Sequence, residues 1–306
     1  MKNLSFTDVT LRDGLQIESR LIPVAEKLQL FTALAACPYD RYEVTSFVHP
    51  KWIPQFADSE NFLKALFQSP LSQTKELMAF VPNEKGLERL LEFPIPWATT
   101  FIAASNTFNQ KNVNQSIDDT VLALDRVVQM AHQAKRKVRI YVSTVFGCPY
   151  EGAIPMESLF AVLDKVIALQ PDEIALSDTI GVAEPTQVCA VLERFLKKYP
   201  ADKTALHFHD TYGLAVAGAS QAYDLGIRSF DGSTGGIGGC PYAKGATGNV
   251  AIESLLYLFF RRGVLPSFPK AQIQAVWKVL AETLKLTTHS QLFEIMEKGG
   301  ALYGIG

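Results

Sequence analysis

Eight short runs rich in β-branched and aromatic residues recur along the chain, each separated from the next by a stretch of helical periodicity, and this alternation constrains the fold more than any other feature. The runs are LSFTDV at 4, YEVTSF at 42, LMAFV at 77, ATTFIAAS at 98, VRIYVST at 138, EIALSD at 173, TALHFHD at 204 and IRSFDGS at 227. Between them lie PVAEKLQLFTALAA, SIDDTVLALDRVVQMAHQAKRK, PMESLFAVLDKVIALQ, EPTQVCAVLERFLKKYP and GLAVAGASQAYDLG. Pro155 and Pro185 suit first helical turns, Ser116 suits a cap and Gly226 a helix end. Strands alternating with helices predict an α/β protein, a (β/α)8 TIM barrel with additional C-terminal helices, with an open doubly wound sheet as the rival. Such a barrel takes about 250 residues, and the chain has 306. The expected division is a catalytic barrel over 1–263 and a C-terminal helical extension over 264–306 packed on it.

In a barrel, chemistry sits at the carboxyl ends of the strands, and the polar residues of this chain gather there. Arg12 and Asp13 follow the first run, Glu43 lies in the second, Asp178 ends the sixth, His207 and His209 end the seventh, and Asn249 lies beyond the eighth. Strand alternation points residues i and i+2 to one face, so His207 and His209 can aim both imidazoles at one point while Phe208 packs on the other side. That is the geometry of a chelating pair. Asp210 either orients one imidazole or caps the helix beginning near Gly213. Two imidazoles joined by an aspartate and an amide oxygen suit Mg²⁺ or Mn²⁺ in preference to structural zinc, although zinc also accepts histidine and carboxylate. Arg12 beside Asp13 reads either as a surface ion pair or as a planar cation next to the metal.

STGGIGGCPYAKGATGN, residues 233–249, holds six glycines and predicts a loop able to approach a ligand closely. Cys240 in that loop is badly placed to fill a core and well placed to act as a general acid or base. Cys148 reads as a structural thiol, and Cys37 and Cys189, on apolar helical stretches, as buried small residues. The glycine loop follows the eighth run instead of opening a first βαβ unit, and neither a Walker lysine–serine pair nor a G-x-S-x-G elbow occurs. Dinucleotide, ATP and serine-hydrolase chemistry are therefore disfavoured.

Lysine plus arginine (29) nearly balances aspartate plus glutamate (31), so charge gives no reason to expect nucleic acid or a membrane surface as a partner. The opening MKNLSFTDVT has neither the apolar core of a signal peptide nor the arginine-rich pattern of a transit peptide, no apolar run is long enough to span a membrane, and the four cysteines are scattered. A cytoplasmic protein with reduced thiols is expected.

The motifs RDGLQ, EVTSFVHPKWIPQ, GCPYEG, SDTIG, HFHDTYG and GGIGGCPYAKGATGNVA, spread in order from Arg12 to about Glu253, resemble the 3-hydroxy-3-methylglutaryl-CoA lyases, metal-dependent barrel enzymes related to the isopropylmalate and homocitrate synthases. The resemblance implies Asp13, His207, His209 and Asn249 as ligands of a divalent metal, Arg12 as the catalytic arginine, Cys240 as the loop thiol, and Glu43 and Asp178 as further active-site carboxylates. It implies retro-Claisen cleavage of 3-hydroxy-3-methylglutaryl-CoA to acetyl-CoA and acetoacetate, a homodimer, and a place in leucine degradation. Asp178, Glu43 or a metal-linked histidine is the expected base. The chain departs from the family at DVTLRDGLQ, where Thr10 and Leu11 are closer to the condensing synthases, at Ile17, where asparagine is usual, and at His49, where serine is usual. A related lyase for another 3-hydroxy-3-alkylglutaryl-CoA fits the same pattern. The rivals are a Claisen synthase joining acetyl-CoA to a 2-oxo acid, disfavoured by the short segment after the barrel, and a catalytically idle CoA-binding barrel, disfavoured because every expected catalytic position is filled.

Overall fold

The computed structural model describes residues 4–239 and 248–305. Its strands are β1 (Ser5–Asp8), β2 (Arg41–Ser46), β3 (Glu76–Phe80), β4 (Trp97–Ala103), β5 (Lys137–Ser143), β6 (Glu173–Asp178), β7 (Thr204–Phe208) and β8 (Ser229–Gly232). Each pairs in parallel with its neighbours in sequence, and β1 also pairs with β8, with Phe6 opposite Phe230. The sheet is a closed barrel, not an open one. Eleven helices complete the architecture among the described residues: α1 (Val24–Leu34), α2 (Ser59–Leu66), α3 (Glu84–Leu91), α4 (Asn106–Val113), α5 (Ile117–Gln133), α6 (Met156–Ala168), α7 (Pro185–Phe195), α8 (Ala215–Asp224), α9 (Ile252–Arg261), α10 (Lys270–Lys278) and α11 (Gln291–Glu297). None of them is long and apolar enough to cross a membrane.

Closure follows from two-residue alternation. In β5, Val138, Ile140 and Val142 join the apolar layer shared with the helices, as do Ile174 and Leu176 of β6 and Leu206 and Phe208 of β7. The alternate positions fill the interior, and in place of the usual branched aliphatics many are charged. Arg41 and Glu43 of β2, Arg139 of β5, Glu173 of β6, His207 of β7 and Asp231 of β8 are all buried. Burying such charges costs several kcal/mol per ion unless each is paired, and here they are. Arg41 donates to both Glu173 oxygens at 2.9 and 3.0 Å. Arg139 lies 3.0 Å from Glu173 and donates to Asp231 at 2.7 Å.

The expected helix signals are in place. Ser116 accepts the Asp119 N–H at 3.1 Å, Pro185 opens α7, Pro155 immediately precedes α6, and Gly226 follows α8 at φ +99°. Cys37 is buried, and burial pushes its thiol up to about 12. Cys189 departs from expectation: it lies on a partly exposed face of α7. Beyond the barrel, Trp277 of α10 donates to Glu253 of α9 at 3.1 Å, and the His289 N–H reaches the Gly235 carbonyl at 2.7 Å. The C-terminal segment therefore braces the root of the loop that follows β8. Gly235, at φ +77°, is required there, because a Cβ would stand 2.8 Å from Thr288.

Behind β1, on the helix side, Asp8 accepts from the Thr10 hydroxyl at 2.6 Å and the Thr10 N–H at 3.1 Å, and the Thr10 hydroxyl in turn accepts the Thr234 N–H at 2.8 Å. Burial raises the Asp8 pKa to about 7, with Glu253 adding to the rise against the threonine hydrogen bonds. An acid whose folded pKa lies above its unfolded value binds a proton on folding, so stability falls as pH rises from about 4 through 7. Asp8→Asn mimics the protonated acid and is expected to flatten that decline. In melts between pH 5 and 8, the variant should gain on the parent as pH rises; a pH-independent difference would count against a protonated Asp8.

Candidate active site and metal centre

At the end of β1 the chain makes one wide turn, Thr10–Gly14, closed by the Gly14 N–H on the Val9 carbonyl at 3.0 Å. The five-residue spacing of that bond is π-helical, a geometry that recurs at functional sites. The turn carries Arg12 and Asp13 into the barrel mouth, where they are only 8% and 4% exposed. The dipeptide is an ion pair, but a buried one and not a surface one. Arg12 donates to Asp13 and, at 2.5 Å through Nε, to Glu43. Its guanidinium lies 5.4 Å from the Phe80 ring centroid and 5.5 Å from that of Tyr141. Burial works against the arginine's charge, but Glu43 and Asp13 overcome it and hold the cation firmly protonated.

Asp13, His207 and His209 form the group of potential ligands, with one donor atom of each lying within 4.8 Å of the others. His209 Nε2 is 3.5 Å and His207 Nε2 3.8 Å from Asp13 Oδ2. His209 lies one residue beyond β7 and bridges backbone to backbone with Asn249. The Asn249 amide nitrogen donates to Asp13 Oδ2 at 2.9 Å and to the Ile237 carbonyl at 3.2 Å. That orientation leaves Asn249 Oδ1 buried without a hydrogen-bond partner among the described residues, and His209 Nδ1 likewise. A buried acceptor with no donor costs about 1–3 kcal/mol, and turning the amide over would bring this oxygen, in place of the nitrogen, against a cation held at Asp13 Oδ2. Burial works to raise the Asp13 pKa, but Arg12 and a His209 hydrogen bond overcome it and hold the carboxyl below the ordinary carboxylate range. The donor set is therefore one committed carboxylate, two imidazoles and one orphaned amide oxygen, which fits a divalent cation. Gly238 makes the approach possible: at φ +108°, a Cβ would stand 2.7 Å from the Asn249 amide nitrogen and 2.9 Å from the Asp13 carbonyl.

Glu43 is fully buried and receives Arg12, the Thr99 hydroxyl and, at 3.3 Å, the Tyr141 hydroxyl. Asp178 accepts three N–H groups of the loop after β6: Oδ1 takes Gly181 and Val182 at 3.0 and 3.1 Å, and Oδ2 takes Ala183 at 2.8 Å. Burial nevertheless raises its pKa against those bonds. Asp210 serves the helix and not an imidazole: its Oδ1 accepts the N–H of Ala215, the first residue of α8, at 2.9 Å, although Leu214 holds the N-cap position. Cys240, the expected loop thiol, lies outside the described residues. Cys148 is buried, its thiol 3.0 Å from the Ser105 hydroxyl.

Asp231 and Tyr141 were not among the residues expected at the site. Asp231 Oδ2 lies 3.2 Å from His207 Nδ1, and Tyr141 packs edge-on to His207 at 5.4 Å. Both occupy inward positions of strands with otherwise outward apolar residues, and a polar side chain on that face is the signal that could have found them.

Comparison with known proteins agrees with this geometry. The HMGL-like family model matches residues 3–281. A hydroxymethylglutaryl-CoA lyase of Bacillus subtilis is 42% identical over 257 residues, 84% of this chain and 85% of its own length. A 3-hydroxy-3-isohexenylglutaryl-CoA/hydroxy-methylglutaryl-CoA lyase of Pseudomonas aeruginosa is 41% identical over the same shares. Among solved structures, an HMG-CoA lyase of Acinetobacter baumannii in complex with coenzyme A and 3-methylmalate superposes with a TM-score of 0.89 at 31% identity, covering 99% of this chain and 98% of that one. With the barrel, the buried Arg12–Asp13 turn and the family match over nearly the whole chain, the protein belongs to the HMGL-like family and is a carbon–carbon lyase of the hydroxymethylglutaryl-CoA lyase kind.

Proposed function

We propose that the chain cleaves 3-hydroxy-3-methylglutaryl-CoA, or a close 3-hydroxy-3-alkylglutaryl-CoA, to acetyl-CoA and acetoacetate or the corresponding 3-oxo acid. The observation that carries this reading is the buried cluster of Asp13, His207 and His209, with the Asn249 side chain hydrogen-bonded to Asp13 and buried Arg12 next to it in sequence. These four residues would hold Mg²⁺ or Mn²⁺, which would supply a Lewis acid able to lower the pKa of the substrate's tertiary hydroxyl. Of the two carboxylates, Asp178 is the better base. Its Oδ2 takes one backbone N–H and its pKa is raised, whereas Glu43 is tied to Arg12, Thr99 and Tyr141.

As the proton leaves the hydroxyl, its oxygen becomes the new carbonyl, the C2–C3 bond breaks, and the electron pair passes into the thioester as an enolate. Arg12 stabilises that developing charge. Its plane is set by Glu43 and Asp13 and by the Phe80 and Tyr141 rings, so the cation is in place before the reaction begins. Cys240 is proposed to deliver the proton that converts the enolate carbon to the methyl group of acetyl-CoA. The reading carries with it a cytoplasmic location, expected from the scattered cysteines, and a homodimer and a role in leucine breakdown, both inherited from the resemblance.

Relatives of comparable similarity differ in name only by acyl group, so the test is a product assay across 3-hydroxy-3-alkylglutaryl thioesters with Mg²⁺ or Mn²⁺. Metal-dependent release of acetyl-CoA from at least one of them is expected. Release of free CoA from acetyl-CoA and a 2-oxo acid, with no thioester cleaved, would favour the condensing reaction.

A further inference from the structure

An imidazole binds a metal through a nitrogen carrying a free pair, so a histidine ligand works only when its proton sits on the other nitrogen. In His207 the nitrogen nearer Asp13 is Nε2, and Nδ1 faces Asp231 Oδ2 at 3.2 Å. Asp231 is 1% exposed, and its other oxygen takes Arg139 Nη2 at 2.7 Å. Arg139, itself fully buried, shares its charge with Glu173, which is also paired with Arg41. The column from Arg41 through Glu173 and Arg139 to Asp231 thus holds two cations and two carboxylates and closes without excess charge.

We propose that Asp231, held by Arg139, is the positioning residue that fixes His207 with its proton on Nδ1 and its free pair on Nε2. An ionised carboxylate only accepts hydrogen bonds, so a short contact with Nδ1 requires a proton on that nitrogen. Asp231 Oδ1 is held 2.7 Å from the guanidinium of Arg139, a permanent cation, and that pairing keeps the group an anion. The order Arg139, Asp231, His207 therefore transmits a fixed charge from the barrel interior to the tautomer of one ligand. His209 has no comparable support, since its Nδ1 lacks a partner among the described residues. The two histidines are unequal ligands: His207 is preorganised, and His209 is oriented by the site itself.

The inference rests on the reading of Asp13, His207, His209 and Asn249 as a divalent-metal site, and the test separates the two. Asp231→Asn is informative because arginine can only donate. The amide oxygen must face Arg139, which turns the NH₂ group toward His207 Nδ1, and the imidazole is then driven to carry its proton on Nε2. In metal-free full-length protein at a pH well above the ordinary imidazole pKa of about 6.5, ¹⁵N–¹H correlation spectra of labelled histidine should show His207 protonated on Nδ1. In Asp231→Asn the proton should move to Nε2, and the Mn²⁺ dissociation constant from calorimetry should rise by about 10- to 100-fold.

A parent His207 protonated on Nε2, or a folded Asp231→Asn protein with unchanged tautomer and Mn²⁺ affinity, would overturn the proposal. If the variant does not fold, the parent spectrum alone decides. A parent that shows the Nδ1 proton yet binds no Mn²⁺ would sink the metal reading and leave the tautomer assignment standing.

Discussion

Replacing Arg12 by glutamine is expected to lower kcat by at least a hundred- to a thousandfold, roughly 3–4 kcal/mol of lost transition-state stabilisation, while Mn²⁺ binding changes little. The asymmetry follows from which oxygens are engaged. Arg12 touches Asp13 through Oδ1, whereas the contacts with His207, His209 and Asn249 all run to Oδ2. Removing the guanidinium therefore leaves the ligand side of Asp13 in place and takes away the fixed cation. It also strips Glu43 of its ion pair in a fully buried position, so the variant should lose stability as well, by about 3–5 kcal/mol if the carboxylate stays charged. Single-turnover cleavage by protein shown to be folded and Mn²⁺-loaded separates the two effects. Near-parental turnover would remove Arg12 from the chemistry.

The second large effect is expected from His209→Ala. The imidazole is 5% exposed and packs against the His207 ring at 5.4 Å, yet its Nδ1 has no partner among the described residues. Its loss opens a small cavity without breaking the Asp231 support of His207. The consequence should fall on the metal. Parent protein at Mn²⁺ a hundredfold above its dissociation constant gains about 2.7 kcal/mol from binding, a rise in Tm of several degrees for a domain of this size. The variant should show almost no Mn²⁺-dependent rise at the same concentration and should cleave substrate at a small fraction of the parental rate. A Tm rise equal to the parent's would mean that His209 is not a ligand.

The architecture could be read from the chain because one period recurs. Val138, Ile140 and Val142 alternate with Arg139 and Tyr141, and runs of this kind, separated by helical stretches, leave few topologies. The same period brought His207 and His209 to notice. What it could not show was burial. The Arg12–Asp13 pair looks like any exposed ion pair until the wide turn after β1 carries it inward. The column Arg41, Glu173, Arg139 and Asp231 is assembled from four strands far apart in sequence, so no local spacing signals it. Asp178 ends a strand like a catalytic acid, yet its three bonds to loop N–H groups are fixed by the turn that follows and are invisible before the turn is built. Asp210 and Asp231 show the same limit from the other side. The aspartate beside the histidines in sequence serves a helix, and the one that orients His207 comes from the next strand.

The most direct measurement is anomalous diffraction from crystals of the parent protein loaded with Mn²⁺. A single peak within bonding distance of Asp13, His207 Nε2, His209 and Asn249 Oδ1 is the expected result. A peak elsewhere in the barrel, or Asn249 Oδ1 turned away from the ion onto a protein donor, would contradict the account.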